Sequence, residues 1–172
     1  MTKLIMPRID RKLLSKKNNI IAGLKKIIKA ENVIDHEDQI RPYETDALSA
    51  YKQKPLAVVF PENTKDVSKI LKYCNQEKIK VVPRGAGTGL SGGALPLVDG
   101  ILLCLGKFNK ILEIDYKNRC VVAQPGVTNL SITQAVQDRG FYYAPDPSSQ
   151  IACSIGGNVA ENSGGIHSLK YG

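Results

Sequence analysis

Val81-Val-Pro-Arg-Gly-Ala-Gly-Thr-Gly-Leu-Ser-Gly-Gly93 is a short β-branched run that breaks into a loop, with Gly85, Gly87, Gly89, Gly92 and Gly93 at close spacing. Glycine lacks a Cβ and takes positive φ freely. Several in succession can turn their N–H groups toward one point, a concave anion-binding nest that suits a pyrophosphate. A second small-residue stretch follows downstream, Ser154-Ile-Gly-Gly-Asn-Val-Ala-Glu-Asn-Ser-Gly-Gly165. Two such stretches in one chain are far harder to read as ordinary turns than one.

Gly87-Thr-Gly89-Leu-Ser-Gly92 matches G-x-G-x-x-G, but a dinucleotide-binding loop of that kind must open into a helix whose N-terminus faces the phosphates. Here Gly93-Ala-Leu-Pro96-Leu-Val-Asp-Gly100 cannot begin a long helix, and a new apolar run starts at Ile101. Glu113 stands near the offset of a ribose-binding acid, an offset that acids reach often by chance. No Gly-Lys-Ser/Thr closes the loop, so a Walker A reading fails too. What remains is a phosphate cradle between two strands, working through backbone amides.

The flanking sequence predicts the scaffold. Leu56 to Phe60 reads as a strand ended by Pro61, and Asn63 or Thr64 caps a helix whose core face is Val67, Ile70, Leu71 and Cys74. Ile79 to Val82 returns as a strand, a β-α-β unit delivering the loop at a strand's carboxyl end, where ligands favour such sheets. Ile101 to Leu105, Lys110 to Ile114 and Arg119 to Ala123 suggest a meander. Thr128 caps a helix through Ile132, Ala135 and Val136 that ends at Gly140, and Phe141 to Pro147 is a rigid linker into the second stretch.

The 172 residues are 42% hydrophobic and carry a formal charge of +8. Residues 1 to 30 hold nine bases against Asp10, whereas residues 31 to 172 hold fifteen of each sign. The basic character therefore belongs to one segment and does not signal a nucleic-acid surface. In it Leu13, Leu14, Ile20, Ile21, Leu24, Ile27 and Ile28 form a rough helical stripe, with lysines around the other face. Packing on the remainder of the protein is the favoured account of this amphipathic helix, and attachment to a membrane surface is the alternative. Neither a signal-peptide core nor an 18-residue apolar span appears, so the chain reads as cytoplasmic, with a peripheral location at the inner membrane as the alternative.

Cys74, Cys104, Cys120 and Cys153 are scattered, which signals neither zinc nor a disulfide framework. Cys153, just ahead of the second stretch, reads as a packed thiol before a redox-active one. Arg84 reads as a phosphate contact or as a surface ion-pairing residue. Asn158 and Asn162, four apart, would share a face on a helix and could hydrogen-bond a ligand, with ordinary capping as the competing account. His167 reads as a solvated or locally bonded imidazole rather than a base, and His36 carries no signal.

Pro83-Arg84-Gly85-Ala86-Gly87-Thr88-Gly89 with Leu90 and Ser91, then Pro145-Asp146-Pro147-Ser148-Ser149, then Ser154 to Gly165 and Lys170-Tyr171-Gly172, closely resemble the FAD-linked oxidases with a vanillyl-alcohol-oxidase or PCMH-type flavin domain. The resemblance runs from about Ala30 to the last residue and is nearest the glycolate oxidase D subunit and FAD-dependent D-lactate dehydrogenase branch. It implies an α+β FAD-binding domain of two small α/β lobes. The first would span about 51–125 and the second, incomplete, about 126–172, after an N-terminal helical segment over 1–50. It also implies cofactor contacts from Pro83, Arg84, Gly85, Ala86, Gly87, Thr88, Gly89, Leu90, Ser91, Pro145, Ser148, Ser149, Ser154, Gly156, Gly157, Asn158, Asn162 and Gly164. Some relatives carry a flavin-linked histidine where Thr88 stands, so non-covalent FAD is implied.

By the same resemblance the reaction is hydride transfer from a small 2-hydroxy acid to FAD N5, and the residues that bind and deprotonate the acid lie in a cap domain beyond this chain. No residue here is assigned to catalysis or to a metal. The expectation is the FAD-binding portion of a 2-hydroxy-acid oxidoreductase, with a separate chain carrying the cap as a candidate partner. The competing expectation is a truncated remnant or non-catalytic module, membrane-associated through the basic helix.

Overall fold

Ala57–Val59 (β2) and Gly100–Cys104 (β4) are apolar at every position, and in the computed structural model, which describes residues 7–171, every residue of both strands is buried. Runs of that kind belong to strands covered on both faces. They pair in parallel, Val58 opposite Leu102 and Val59 opposite Leu103. Lys80–Arg84 (β3) adds in parallel to the far side of β4, and Val33–Ile34 (β1) pairs antiparallel with β2, giving the order β1-β2-β4-β3. Pro83 is tolerated because β3 is an edge strand, where its missing N–H breaks no ladder.

Thr64–Glu77 (α4) links β2 to β3. The Asn63 side chain caps it, accepting from Asp66 N at 3.0 Å, and Lys78 ends it with φ of 58°. The β-α-β unit is formed, with β4 inserted between its two parallel strands. One correction follows. Leu71 is 45% exposed, leaving Ile70 and Cys74 as the buried face of α4. The meander is also overturned. β4 belongs to the parallel sheet, and Ile111–Asp115 (β5) pairs with Cys120–Ala123 (β6) in a separate two-stranded hairpin. A continuous apolar run is the mark of a central strand, whereas Glu113 and the half-exposed residues around it suit a hairpin with one open face.

The basic segment forms two helices, Arg11–Ser15 (α1) and Lys17–Ile27 (α2), broken at Lys16. Leu13, Ile20, Ile21, Leu24 and Ile28 pack with Ile70, Cys74 and the Ala57/Val59 and Ile101/Leu103 face of the sheet. Gly23 permits this contact, since a Cβ there would lie 2.2 Å from the Tyr73 hydroxyl. The apolar stripe that a membrane would have to receive is thus part of the core. Leu24 is fully buried. Leu24→Ala should destabilise the chain by about 2–5 kcal/mol, read as a lowered denaturant midpoint with unchanged slope. No helix among the described residues is long and apolar enough to cross a membrane.

The opposite sheet face, Val58, Val82, Leu102 and Cys104, packs on Ile40 of Glu37–Ile40 (α3), with Tyr43, Phe60 and Leu97 beside it. Burial pushes the Cys104 thiol up to about 12 and the Cys74 thiol up to about 11, so neither supplies a thiolate near neutrality.

Beyond the hairpin, Asn129–Val136 (α5) starts at the Thr128 cap, and its continuation ends at Gly140 with φ of 75°. Residues 125–130 are zippered to 150–156. Gly156 N donates to Pro125 O at 2.8 Å, Ile155 N to Val127 O at 2.8 Å, and Asn129 N to Cys153 O at 3.1 Å. Gly126 locks this zipper onto the first lobe, its N–H donating to Phe108 O at 2.6 Å. A Cβ on Gly126 would lie only 2.4 Å from Leu105 O. These bonds, made by residues without ligand-like chemistry, carry the second glycine stretch to the first. Ile155–Glu161 (α6) and Ser168–Tyr171 (α7) complete the described chain. Gly172, which closes the last motif, lies outside the described residues.

Candidate functional site

β3 ends at Arg84 and releases the first glycine stretch into a long turn with no helix after it. Residues 85–99 contain no regular element. Gly87 and Gly92 take φ of 75° and 78°, while Gly85, Gly89 and Gly93 do not enter the left-handed region. The nest is therefore shaped at Gly87 and Gly92, and the other glycines serve proximity. Gly85 abuts Ser154 so closely that a Cβ would lie 2.1 Å from the Ser154 hydroxyl oxygen, and Gly156 abuts Pro125, with a Cβ 2.7 Å from the proline Cβ. Ser154 itself caps α6 by accepting from Gly157 N at 3.3 Å.

Between the two stretches lies a cavity of about 630 Å³. Of the sequence-predicted contacts, Pro83, Arg84, Gly85, Ala86, Gly87, Thr88, Gly89 and Leu90 line it from one side, and Ser148, Ser149, Ser154, Gly156, Gly157 and Asn158 from the other. Ser91, Pro145, Asn162 and Gly164 do not. Ser91 Oγ donates to the Glu161 carboxylate at 3.0 Å, Pro145 O accepts from Asn129 Nδ2, and Gly164 O accepts from Asp146 N. Asn162 caps the C-terminus of α6 with φ of 54°, so it leaves the helical path and shares no face with Asn158. Four apart on a helix is a valid rule only while the helix continues.

The lining is largely neutral. Arg84 is its one cation and Glu161 its one anion among the lining residues, with Cys153 buried at the floor. Among the described residues the amides of 85–93 meet no acceptor within the protein. The Asn158 side-chain Nδ2 is buried without a partner on a residue 6% exposed. A cavity with unused backbone donors and one orphaned amide is prepared for an acceptor-rich, anionic ligand, and these residues fit the pyrophosphate-bearing part of FAD.

Arg84 lines the cavity and makes no ion pair among the described residues. Its Nη1 donates to Thr45 O at 2.7 Å, and its guanidinium lies 5.8 Å from the centre of the Tyr43 ring. His167 stands outside the cavity lining. Its Nδ1 lies 3.1 Å from Asp146 Oδ1, yet at an angle that leaves it without a hydrogen bond. Leu105, Pro125, Glu161 and Ser163 line the cavity unforeseen. Glu161 and Ser163 carried a signal, by lying inside the second stretch.

A separate cavity of about 520 Å³ lies between the β5–β6 hairpin, α5 and α6, lined by apolar and aromatic groups including Ile114, Val136, Phe141 and Val159. None of the motif glycines reaches it. Among the described residues no cluster of His, Cys, Asp and Glu is arranged to hold a metal.

Comparison with known proteins agrees with this geometry. The family described as FAD binding domain matches residues 55–172. The chain is 50% identical over 167 residues to the glycolate oxidase subunit GlcD of Escherichia coli K12, covering 97% of this chain and 32% of that protein. It is 41% identical over 128 residues to a D-lactate dehydrogenase of Anaerostipes hadrus, covering 74% of this chain and 27% of that protein. Among solved structures, alkyldihydroxyacetonephosphate synthase superposes with a TM-score of 0.78 at 19% identity, over 99% of this chain and 32% of that one, a likeness of fold. The chain thus spans about a third of the length of the curated relatives it matches.

Proposed function

Because this chain belongs to the FAD-binding domain family, we propose that the cavity between its two glycine stretches holds FAD, as the cofactor-binding part of an oxidoreductase acting on a small 2-hydroxy acid. The single observation that carries this reading is the joint lining. The two stretches meet where Gly85 abuts Ser154 and line one cavity together, and the first brings to it amides that meet no acceptor among the described residues. The 2-hydroxy-acid class rests on the relatives named glycolate oxidase subunit and D-lactate dehydrogenase.

The division of labour follows from residue chemistry. The 85–93 amides would take the pyrophosphate oxygens, and Asn158 Nδ2 would supply a further donor. The flavin, when bound, supplies the hydride-accepting chemistry. Thr88 offers no ring nitrogen for a covalent link, so the cofactor is held by contacts alone. The cavity provides binding and orientation. Recognition of the hydroxy acid belongs to the cap domain implied by the family resemblance, and whether that is carried by a partner chain is part of this proposal.

The purified chain mixed with FAD should emerge yellow from gel filtration, and acid precipitation should leave all the flavin in the supernatant. Riboflavin, which lacks the pyrophosphate, should be lost on the column. A colourless protein, or riboflavin retained as well as FAD, would defeat the reading.

A further inference from the structure

The segment ahead of the family match is part of the site's construction. Tyr43 is anchored against Phe60, ring centres 5.9 Å apart and edge to face, within the core cluster beneath the sheet. From that anchor, residues 45–48 run under the glycine loop and hold it at three points. Ala47 N donates to Gly87 O at 2.9 Å. Arg84 Nη1 donates to Thr45 O at 2.7 Å. Ala94 N donates to Asp46 Oδ2 at 3.3 Å, while Asp46 Oδ1 accepts from Leu48 N at 2.9 Å. Asp46 is only 5% exposed, and no lysine or arginine pairs with it among the described residues. A buried carboxylate held by amide donors alone is expensive to desolvate, and such a group persists where the bonds it accepts fix a backbone.

The positions of these contacts matter. Two of the three fall on Gly87 and Ala94, which bracket the loop, and Gly87 is one of its two left-handed residues. The third occupies the arginine that motif reasoning would give to a phosphate. We propose that the Tyr43–Leu48 segment is the backing plate of the cofactor cavity, with Asp46 and Arg84 as positioning residues that set the glycine loop before any ligand arrives. Arg84 acts by holding Thr45, and its charge is not a cofactor contact. The cofactor part of this inference rests on the FAD reading above.

The test uses hydrogen exchange on the ligand-free 172-residue chain, together with FAD dissociation rates over a range of salt concentrations. Asp46→Ala and Arg84→Ala should each speed exchange of the bonded brace amides, Ala47 and Ala94, by about tenfold, and the double variant should add little to either single one, as expected for members of one brace. Protection of Leu102 and Leu103 in β4 must stay intact, which separates a loosened loop from an unfolded protein. Asp46→Asn, which keeps the Oδ1 acceptor but turns a donor toward Ala94, should release the Ala94 amide selectively. FAD should leave both alanine variants about tenfold faster, with salt dependence parallel to the unaltered chain. Unchanged exchange at Ala47 in both alanine variants overturns the backing plate. An Arg84→Ala defect that vanishes at high salt, with Asp46→Ala normal, restores Arg84 as a phosphate contact. If the unaltered chain binds no FAD, the cofactor reading fails by itself, and exchange still decides whether the segment sets the loop.

Discussion

Gly87→Val is expected to strip flavin from the chain, while Gly89→Val should leave a measurable fraction bound. The two glycines look alike in sequence but differ in backbone. Gly87 has φ of 75°, a region that costs an ordinary residue about 1–3 kcal/mol and is a genuine outlier for a β-branched one. Its added Cβ would also sit 2.3 Å from Arg84 Nη2 and 2.5 Å from Arg84 Cζ, so the guanidinium must leave and its bond to Thr45 O is lost with it. Gly89 is not in the left-handed region. A Cβ there meets Glu161 Oε1 at 2.8 Å, the end of an exposed and flexible side chain that can swing aside. Flavin absorbance after gel filtration ranks the variants, and equal retention by both would mean that the loop conformation does not govern binding.

The difference between those glycines shows where sequence reasoning reached and where it stopped. Glycine spacing, the lack of a following helix and the second stretch picked out the two segments that line one cavity, because each is a local property of composition. The strand order was not legible. Whether the run Ile101 to Leu105 pairs with its successor or inserts between β2 and β3 depends on which faces are covered, and an all-apolar run says only that both are. Of the two readings of Asn162 the capping one holds, because a helix C-cap in the left-handed region breaks the four-residue rule at that residue. The supports of the site were invisible for another reason. Ala47 to Gly87, Gly126 to Phe108 and Gly156 to Pro125 are backbone-to-backbone bonds between distant residues, and such bonds leave no mark on side-chain chemistry. Arg84 was chemically legible as a cation beside a cradle, but its direction was fixed by a carbonyl 39 residues away.

The largest expected effect concerns the reaction itself. Glycolate or D-lactate added anaerobically to the FAD-loaded 172-residue chain should leave the flavin band unbleached over minutes. Hydride transfer needs the substrate carbon held near the flavin and a base placed on its hydroxyl proton, and alignment of that kind lowers barriers by roughly 7–11 kcal/mol. The cavity lining offers one carboxylate, Glu161, and Ser91 already donates to it at the rim beside Gly89 and Gly93. It offers no histidine, since His167 stands apart beside Asp146 and His36 lies next to Asp38. Its single cation, Arg84, has Nη1 tied to Thr45 O and its guanidinium 5.8 Å from the Tyr43 ring centre, which holds it in the support of the loop. Binding of the cofactor and turnover of the hydroxy acid should therefore separate cleanly in this chain. The same assay on Glu161→Gln guards the assignment. Stoichiometric bleaching within seconds by the unaltered chain, abolished by that substitution, would make Glu161 the base and move the chemistry into the very loop contact described here as structural.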